Sequence, residues 1–418
     1  TANGTQKADL VLKNASIVNV FTESIEVGDV AITDGKIVGI GRYEGKIEKD
    51  MTGRFVCPGF IDGHIHLESS MVTPSEFARA VIAHGTTAVI TDPHEIANVA
   101  GCDGITYMMQ ATKDLPLDVF FMVPSCVPAT DLDESGACLN ADDITPFYND
   151  RRVLGLAEMM NAFGVNQADG SVLSKIKTTL EHDRIIDGHA PLLTGKELNA
   201  YTAAGIRSDH ECSNIAEAKE KLSRGQWIMI REGTAAKNLQ ELMPLFEAPY
   251  YNRILLVTDD KHPLDLLNDG HIDAIIRKAV HLGADPIRAI KAGSLNAATY
   301  FGLRDTGAIA PGYDADIVVL NDLTDLHVQE VYKQGTLISE RGQITTAVNS
   351  NTDSIPERVI HSFHVEKITP AQSQNRASTS ASSNCMQESF LPPNAQPAGI
   401  RIPAQKTGQM VSIRTMIL

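Results

Sequence analysis

The sequence predicts an α/β protein with a (β/α)8 TIM barrel and a small β-sandwich domain formed from both flanks of the barrel. Short apolar runs alternate with helix-like stretches at intervals of roughly thirty residues, as βα units require. Runs of alternating apolar and polar residues, typical of strands, lie before and after this region. The predicted segments are 1–57 and 304–350 for the two parts of the sandwich, 58–303 for the barrel, and 351–418 for a largely low-complexity tail.

The two flanks of the barrel are predicted to be all-β. In the first flank, Asp34-Gly35 separates two alternating runs, and an Asp-Gly dipeptide in that position is a hairpin signature. The second flank returns to the same alternation, so its strands are expected to pair with those of the first. The runs lie at 9–12, 15–20, 29–32 and 36–40, and then at 311–320 and 331–335.

The barrel strands are predicted from eight apolar runs that are bounded by polar or turn residues. Parallel strands with intervening helices close into a barrel, and the length from 58 to 303 suits one. The predicted strands are 59–62, 87–90, 118–123, 153–156, 184–187, 204–207, 227–230 and 254–257.

Composition and charge exclude some classes of function. The net charge of −16 argues against nucleic acid as a partner, because an acidic surface repels phosphate. The six cysteines lack metal-type spacing and are interpreted as reduced thiols. No apolar run approaches the ~18 residues of a membrane span, and residues 1–7 do not resemble a signal peptide. We therefore expect a soluble cytoplasmic protein with no membrane partner.

The most informative motif is the run Pro58–His66, which ends in two histidines separated by one residue. Successive side chains of a strand point to opposite faces, so His64 and His66 are predicted to project together while Ile65 faces away. Two imidazoles on one face can bind one divalent ion. A His-x-His pair alone is also found in ordinary surface loops, so the interpretation depends on the other strand ends.

Metal-binding residue types cluster at the ends of the other predicted strands. Taken singly, His189 and His210 are explained as loop histidines, Glu158 as a helix-capping acid and Asp259 as a turn residue. Together they favour a metal site, because catalytic groups of a barrel lie at the carboxyl ends of its strands. The motifs are 92–95 after strand two, Glu158 after strand four, 187–189 after strand five, 208–211 after strand six and 258–260 after strand eight.

Charge and geometry suggest a site for two ions. His64, His66 and a carboxylate suit one ion, and His189 with His210 suits a second, with Glu158 as a bridge at the ~3.5–4 Å spacing of two-metal sites. Imidazole and carboxylate ligands are compatible with Zn, Fe or Mn. Water bound there would lose a proton near neutral pH and act as the nucleophile, with Asp259 as the proton shuttle.

These motifs resemble the amidohydrolase superfamily and, within it, the bacterial adenine deaminases. The resemblance extends from about residue 8 to about residue 370, and the matching segments are 58–70, 91–99, 155–160, 187–191, 208–211 and 258–260. It implies hydrolytic deamination of adenine to hypoxanthine and ammonia in purine salvage, by a homo-oligomer with a binuclear Mn²⁺ or Fe²⁺ centre, Zn²⁺ also being compatible. The implied metal ligands are His64, His66, Glu158, His189, His210 and Asp259, and the implied catalytic residues are Asp259 and Glu158.

The residues that contact the purine are predicted by position only. They are Glu68, Ser69, Ser70, His94, Arg231 and Asp260. A dihydroorotase-like hydrolase is the first alternative, but its anionic substrate would require several arginines, and only Arg207 and Arg231 lie near a predicted active-face loop. A non-catalytic nucleobase-binding protein is the second. The family usually continues beyond a segment like 361–365 into a further domain, whereas here a polar stretch follows at 371–397.

Overall fold

The chain alternates strands and helices through its middle part, with mainly strands on either side. This computed structural model describes residues 1–349 and 355–362. The strands are β1 (Ala8–Asn19), β2 (Ser24–Thr33), β3 (Lys36–Gly41), β4 (Gly45–Asp50), β5 (Phe55–Pro58), β6 (Phe60–Ile65), β7 (Thr86–Thr91), β8 (Asp118–Val123), β9 (Val153–Met159), β10 (Ile185–Gly188), β11 (Ser208–Asp209), β12 (Trp227–Arg231), β13 (Ile254–Val257), β14 (Ile317–Leu320), β15 (Val328–Lys333), β16 (Thr336–Glu340) and β17 (Gln343–Ile344).

Helical segments follow every strand from β6 to β13. The α-helices are α1 (Pro74–Ala83), α2 (His94–Ala111), α3 (Ala141–Ile144), α4 (Ala162–Asn166), α5 (Gly170–Glu181), α6 (Gly195–Ala203), α7 (Ile215–Ser223), α8 (Leu239–Leu242), α9 (Pro263–Asn268), α10 (Ile272–His281), α11 (Pro286–Ala292), α12 (Leu295–Tyr300) and α13 (Glu357–Ile360), and 3₁₀ turns lie at Leu67–Ser70, Thr145–Asn149, Met243–Phe246 and Tyr251–Arg253. No helix of the described residues is long and apolar enough to cross a membrane.

Strands β6 to β13 form a curled parallel sheet of the TIM-barrel type. They pair as a five-stranded sheet, β6 to β10, and a three-stranded sheet, β11 to β13. Backbone hydrogen bonds join the two sheets at both edges, since Arg207 N donates to Ile186 O at 3.0 Å and Asp259 N donates to His64 O at 2.9 Å. Across the second of these seams, Thr258 also donates its backbone N–H and its hydroxyl to buried Asp62. The predicted (β/α)8 architecture therefore agrees with the curled parallel sheet.

The sixth predicted strand is displaced from the observed one. The apolar run predicts a strand at 204–207, but β11 comprises only Ser208 and Asp209. The reason is the preceding turn, because Ala204 caps α6 and Gly205 has a φ of +109° that favours glycine. Arg207 therefore precedes β11 and lies at the amino end of the barrel, not on the active-face loop predicted for it.

A register shift in β6 decides where the two histidines point. Asp62 pairs with Val89 and Ile65 pairs with Thr91, so three steps along β6 match two along β7. This is the pattern of a β-bulge, which reverses the facing of the side chains beyond it. Ile61 thus packs in the barrel interior before the bulge, while Ile65 packs in the outer layer after it.

The strands that flank the barrel join in one nine-stranded sheet. Its order is β17-β16-β15-β14-β5-β1-β2-β3, with β4 paired parallel to β1. The two flanks meet where β14 pairs antiparallel with β5, as Val318 opposes Cys57. The expected pairing of the flanks is therefore present, whereas a two-layer sandwich and the four segment boundaries stay predictions. Of the predicted tail, residues 355–362 are described and contain α13, and the rest of that prediction lies outside the described residues.

Candidate active site

Six predicted site side chains converge at the carboxyl end of the barrel. Glu158 from β9 is at the centre of this cluster and is 3% exposed. Its Oε2 is 2.7 Å from His189 Nδ1 and 3.1 Å from His210 Nε2. Its Oε1 is 3.4 Å from His66 Nε2 and 4.0 Å from His64 Nε2. Burial raises the pKa of Glu158, but the hydrogen bonds from His189, His210 and His66 outweigh it and hold the pKa well below its usual range.

Asp259 completes the cluster from the end of β13. Its Oδ1 lies 3.2 Å from His66 Nε2 and 4.0 Å from His64 Nε2, and its Oδ2 accepts a 2.5 Å hydrogen bond from Arg231 Nη1. Its φ of +59° is in the left-handed region, which aspartate adopts more readily than most residues and which is common at functional sites. Burial raises the pKa of Asp259, but the hydrogen bond from His66 and the histidine charges lower it well below its ordinary value.

The donor atoms fit a divalent cation. His66 Nδ1 donates to the backbone carbonyl of Asp92 at 2.9 Å, and this bond orients the ring so that Nε2 faces the cluster. His64 Nε2 is buried and has no hydrogen-bond partner among the described residues, although a buried nitrogen normally has one. A cation would be its partner. Several donor sets have ligand atoms within 4.8 Å of one another, and they include His64/His66/Asp259, His64/Glu158/His210 and His189/His210/Glu211.

Three further carboxylates of this region were not predicted as site residues. Glu211 pairs with Arg231, at 2.5 Å from Oε1 to Nη1, and the same oxygen is 3.5 Å from His189 Nδ1. Asp92 accepts from His94 Nδ1 at 2.9 Å, and Glu95 Oε2 is 3.5 Å from His66 Nδ1. All three lie within two residues of a histidine that follows a strand, namely His94 or His210. This closeness in sequence is the signal from which they could be predicted.

Two of the predicted substrate residues lie at the outer edge of the cluster. Ser69 donates its hydroxyl to exposed Asp260. Asp260 is more exposed than Asp259, but one of its carboxylate oxygens lies within 4.8 Å of a His66 ring nitrogen and of a Glu95 carboxylate oxygen.

The other four predicted substrate residues form hydrogen bonds or ion pairs with other protein groups. Ser70 donates to Leu67 O at 2.6 Å. Glu68 accepts from Ile96 N at 3.2 Å, and burial, with the nearby charge of Glu95, raises its pKa to about 8. The remaining two, His94 and Arg231, are bound by the carboxylates named above.

Replacing Ile65 with alanine tests whether the histidines and the residue between them have separate roles. Ile65 is fully buried among outer-layer residues, so Ile65→Ala is expected to lower the free energy of unfolding by about 2–5 kcal/mol. Chemical denaturation measures this loss. Metal content per folded molecule, from elemental analysis, should be unchanged, and a loss of metal without a loss of stability would contradict the assignment.

The family model described as the amidohydrolase family matches residues 55–338. Adenine deaminase of Desulfatibacillum aliphaticivorans is 52% identical over 341 residues, which are 82% of this chain and 60% of that protein. Adenine deaminase of Clostridium acetobutylicum is 50% identical over 368 residues, which are 88% of this chain and 64% of that protein. The chain therefore spans less than two thirds of the length of these relatives.

Solved structures of low sequence identity share the fold. Atrazine chlorohydrolase from Arthrobacter aurescens, complexed with zinc, has a TM-score of 0.59 at 15% identity and covers 81% of this chain and 97% of its own. A D-hydantoinase has a TM-score of 0.59 at 16% identity, with the same coverage of 81% and 97%. The family match covers well over half of the chain, from β5 through the barrel to β16, and establishes that the chain belongs to the amidohydrolase family.

Proposed function

We propose that this chain catalyses the metal-dependent hydrolytic deamination of adenine to hypoxanthine and ammonia. The observation that carries the proposal is the cluster of four histidines, Glu158 and Asp259, all buried except the partly buried His189, in a chain that is 52% and 50% identical to two adenine deaminases. Both catalytic candidates, Glu158 and Asp259, belong to this cluster.

Two divalent ions are proposed to share the cluster. His64, His66 and Asp259 would hold one ion, His189 and His210 the other, and Glu158, with one oxygen toward each pair of histidines, would bridge them. Mn²⁺ or Fe²⁺ is proposed, and the nitrogen and oxygen donors are compatible with Zn²⁺ as well. When bound, such ions lower the pKa of water toward neutrality and stabilise developing negative charge.

The protein groups around the cluster account for proton transfer. Hydrolysis of the amine requires a base that takes a proton from the attacking water and an acid that delivers one to the departing nitrogen. Asp259 is suited to both roles because its Oδ1 faces the histidines while Arg231 holds its Oδ2. Glu211 binds the same guanidinium and thereby fixes its position. Arg231 would thus orient the base, in addition to its predicted contact with the purine.

The purine is proposed to enter beside Ser69 and Asp260. These two side chains are hydrogen-bonded to each other at the edge of the cluster, where a planar base with several ring nitrogens could replace that bond. Glu68 and His94 lie deeper on the same side, next to Glu95. Ser70 is bonded within its own 3₁₀ turn and would shape the entrance through the backbone.

The experiment that tests the proposal is a substrate screen. Purified protein loaded with Mn²⁺ or Fe²⁺ is assayed with adenine, adenosine, cytosine and dihydroorotate, by ammonia release for the amines and ring opening for dihydroorotate. Adenine is expected to have the highest kcat/KM. A preference for adenosine or dihydroorotate would overturn the proposal.

We also infer a two-layer sandwich for the flanking sheet. Ile37 of β3 donates to Tyr313 O at 2.9 Å and accepts from Gly312 N at 2.8 Å. These bonds bring β3, at one end of the sheet, against the segment that leads into β14 near its middle. Such curvature supports two packed layers around the buried residues Leu12, Ile17, Val30, Ile317 and Val319.

A further inference from the structure

A fully buried lysine lies behind two of the candidate metal ligands. Lys221 of α7 has no solvent exposure, and its ammonium group donates to Ala190 O at 2.6 Å, Asp209 Oδ2 at 3.0 Å and Glu217 Oε1 at 2.7 Å. An ammonium group has three hydrogens, so these three acceptors use all of its donors. Lysine is rarely buried to this extent without a specific partner.

Two of the three acceptors are immediate neighbours of histidines in the cluster. Ala190 follows His189, and Asp209 precedes His210. Asp209 also accepts from Ala190 N at 2.8 Å through its other oxygen. Ala190 is therefore held on both sides, its N–H by Asp209 and its carbonyl by Lys221.

Glu217 extends the same network along both loops. Its Oε1 accepts from Leu192 N at 2.7 Å, in the loop after β10, and its Oε2 accepts from Ser213 N at 3.3 Å, in the loop after β11. Asp209 further accepts from Glu211 N at 3.0 Å. The hydrogen bonds of these three charged residues, among the described residues, reach neither His64 nor His66. The network thus fixes the half of the cluster that contains His189 and His210.

We propose that Lys221 is a positioning residue that joins the loops of His189 and His210, and thereby determines the affinity of the cluster for its second ion but not for its first. This inference rests on the two-ion site of the proposed function. Without the ammonium group, two buried carboxylates and a carbonyl would face one another with no positive charge between them, and the loops would separate. Metal ligands must be held within about 0.5 Å of their working positions, so even a small separation weakens the site.

The test compares Lys221→Met with the unaltered chain by titration with Mn²⁺ alone and by elemental analysis after dialysis. The unaltered chain is expected to hold about two ions and Lys221→Met about one, as loss of one half of a two-metal site requires. The affinity for the retained ion should be unchanged. The turnover number of Lys221→Met should fall and then recover as the Mn²⁺ concentration is raised, because mass action refills a weakened site.

Lys333→Met is the matched control. Lys333 is an almost buried lysine between Asp118 and Asp316, at 2.5 Å from each, and Asp118 begins β8 at the amino end of the barrel, away from the cluster. Its replacement also removes the cation between two carboxylates, of which Asp316 is buried and Asp118 is half-exposed, so it should destabilise the protein, by less than Lys221→Met, and yet leave both ions bound. If Lys221→Met does not fold, the double variant Lys221→Met/Glu217→Gln is titrated instead. It removes one of the two carboxylate charges that would otherwise repel each other.

The outcomes separate this inference from the proposed function. A folded Lys221 variant that binds both ions with unaltered affinity, or that loses both equally, overturns the positioning role. So does an unaltered chain that binds fewer than two ions. An unaltered chain that binds two ions but leaves adenine unchanged overturns the proposed activity, while the titration of Lys221→Met still decides the role of Lys221.

Discussion

Asp259→Asn is expected to lower the turnover number with adenine by about 10²–10⁴-fold, the usual contribution of general acid–base catalysis. The asparagine keeps the size of the side chain and an oxygen for Arg231, but it cannot accept a proton at Oδ1, which lies 3.2 Å from His66 Nε2. Steady-state kinetics with adenine measures the effect. Metal content should change much less than turnover, because His64, His66 and Glu158 remain.

Asp260→Asn is the control for this substitution. Asp260 is exposed and bonded to Ser69, so its replacement should alter KM more than the turnover number. If Asp260→Asn were the inactive variant with full metal content and Asp259→Asn remained active, the assignment of the proton shuttle would be wrong by one residue.

Glu158→Gln is expected to remove most of the bound metal and, with it, the activity. Glu158 contacts all four histidines of the cluster, and the neutral amide would withdraw its charge from both proposed ions. The loss of metal affinity should exceed the about 10–100-fold that removal of an outer-shell partner costs. Metal titration of the folded variant, with circular dichroism as the check of folding, measures it.

Glu95→Gln provides the comparison for Glu158→Gln. Glu95 lies 3.5 Å from His66 Nδ1, on the side of the ring away from the cluster, and is partly exposed. Glu95→Gln should therefore lower the metal affinity by no more than the about 10–100-fold that loss of an outer-shell partner costs. Equal metal loss in both variants would show that general charge reduction, rather than bridging by Glu158, explains the effect.

The strands and the strand-end residues could be predicted because each leaves a local signal. Buried parallel strands give continuous apolar runs, and β7, β8 and β9 overlap the strands predicted from such runs. Strand β11 could not be found in this way, since it has two residues and both are polar. The bulge in β6 was also missed, because pairing with β7 determines it and no residue pattern within β6 does.

The supporting residues behind the cluster gave no such signal. Lys221 lies in a helix rich in lysine and glutamate, where the usual interpretation is a solvated face, yet it is fully buried. Glu211 follows β11 and Arg231 ends β12, so their ion pair depends on how these two segments lie in the barrel. Sequence reasoning identified the residues next to strand ends, whereas contacts between distant segments required the fold.

The seam between β6 and β13 has a consequence for how the site is assembled. The hydrogen bonds from Thr258 to Asp62 join residues 196 positions apart, and the same seam places Asp259 against His64 and His66. The three ligands proposed for the first ion therefore come together only when the first and last strands of the barrel meet. Long-range pairing of this kind carries a large loop-closure entropy. An ion that binds only the closed form offsets that entropy. Metal binding and barrel closure are therefore linked equilibria, and each shifts the other toward the closed, metal-bound form.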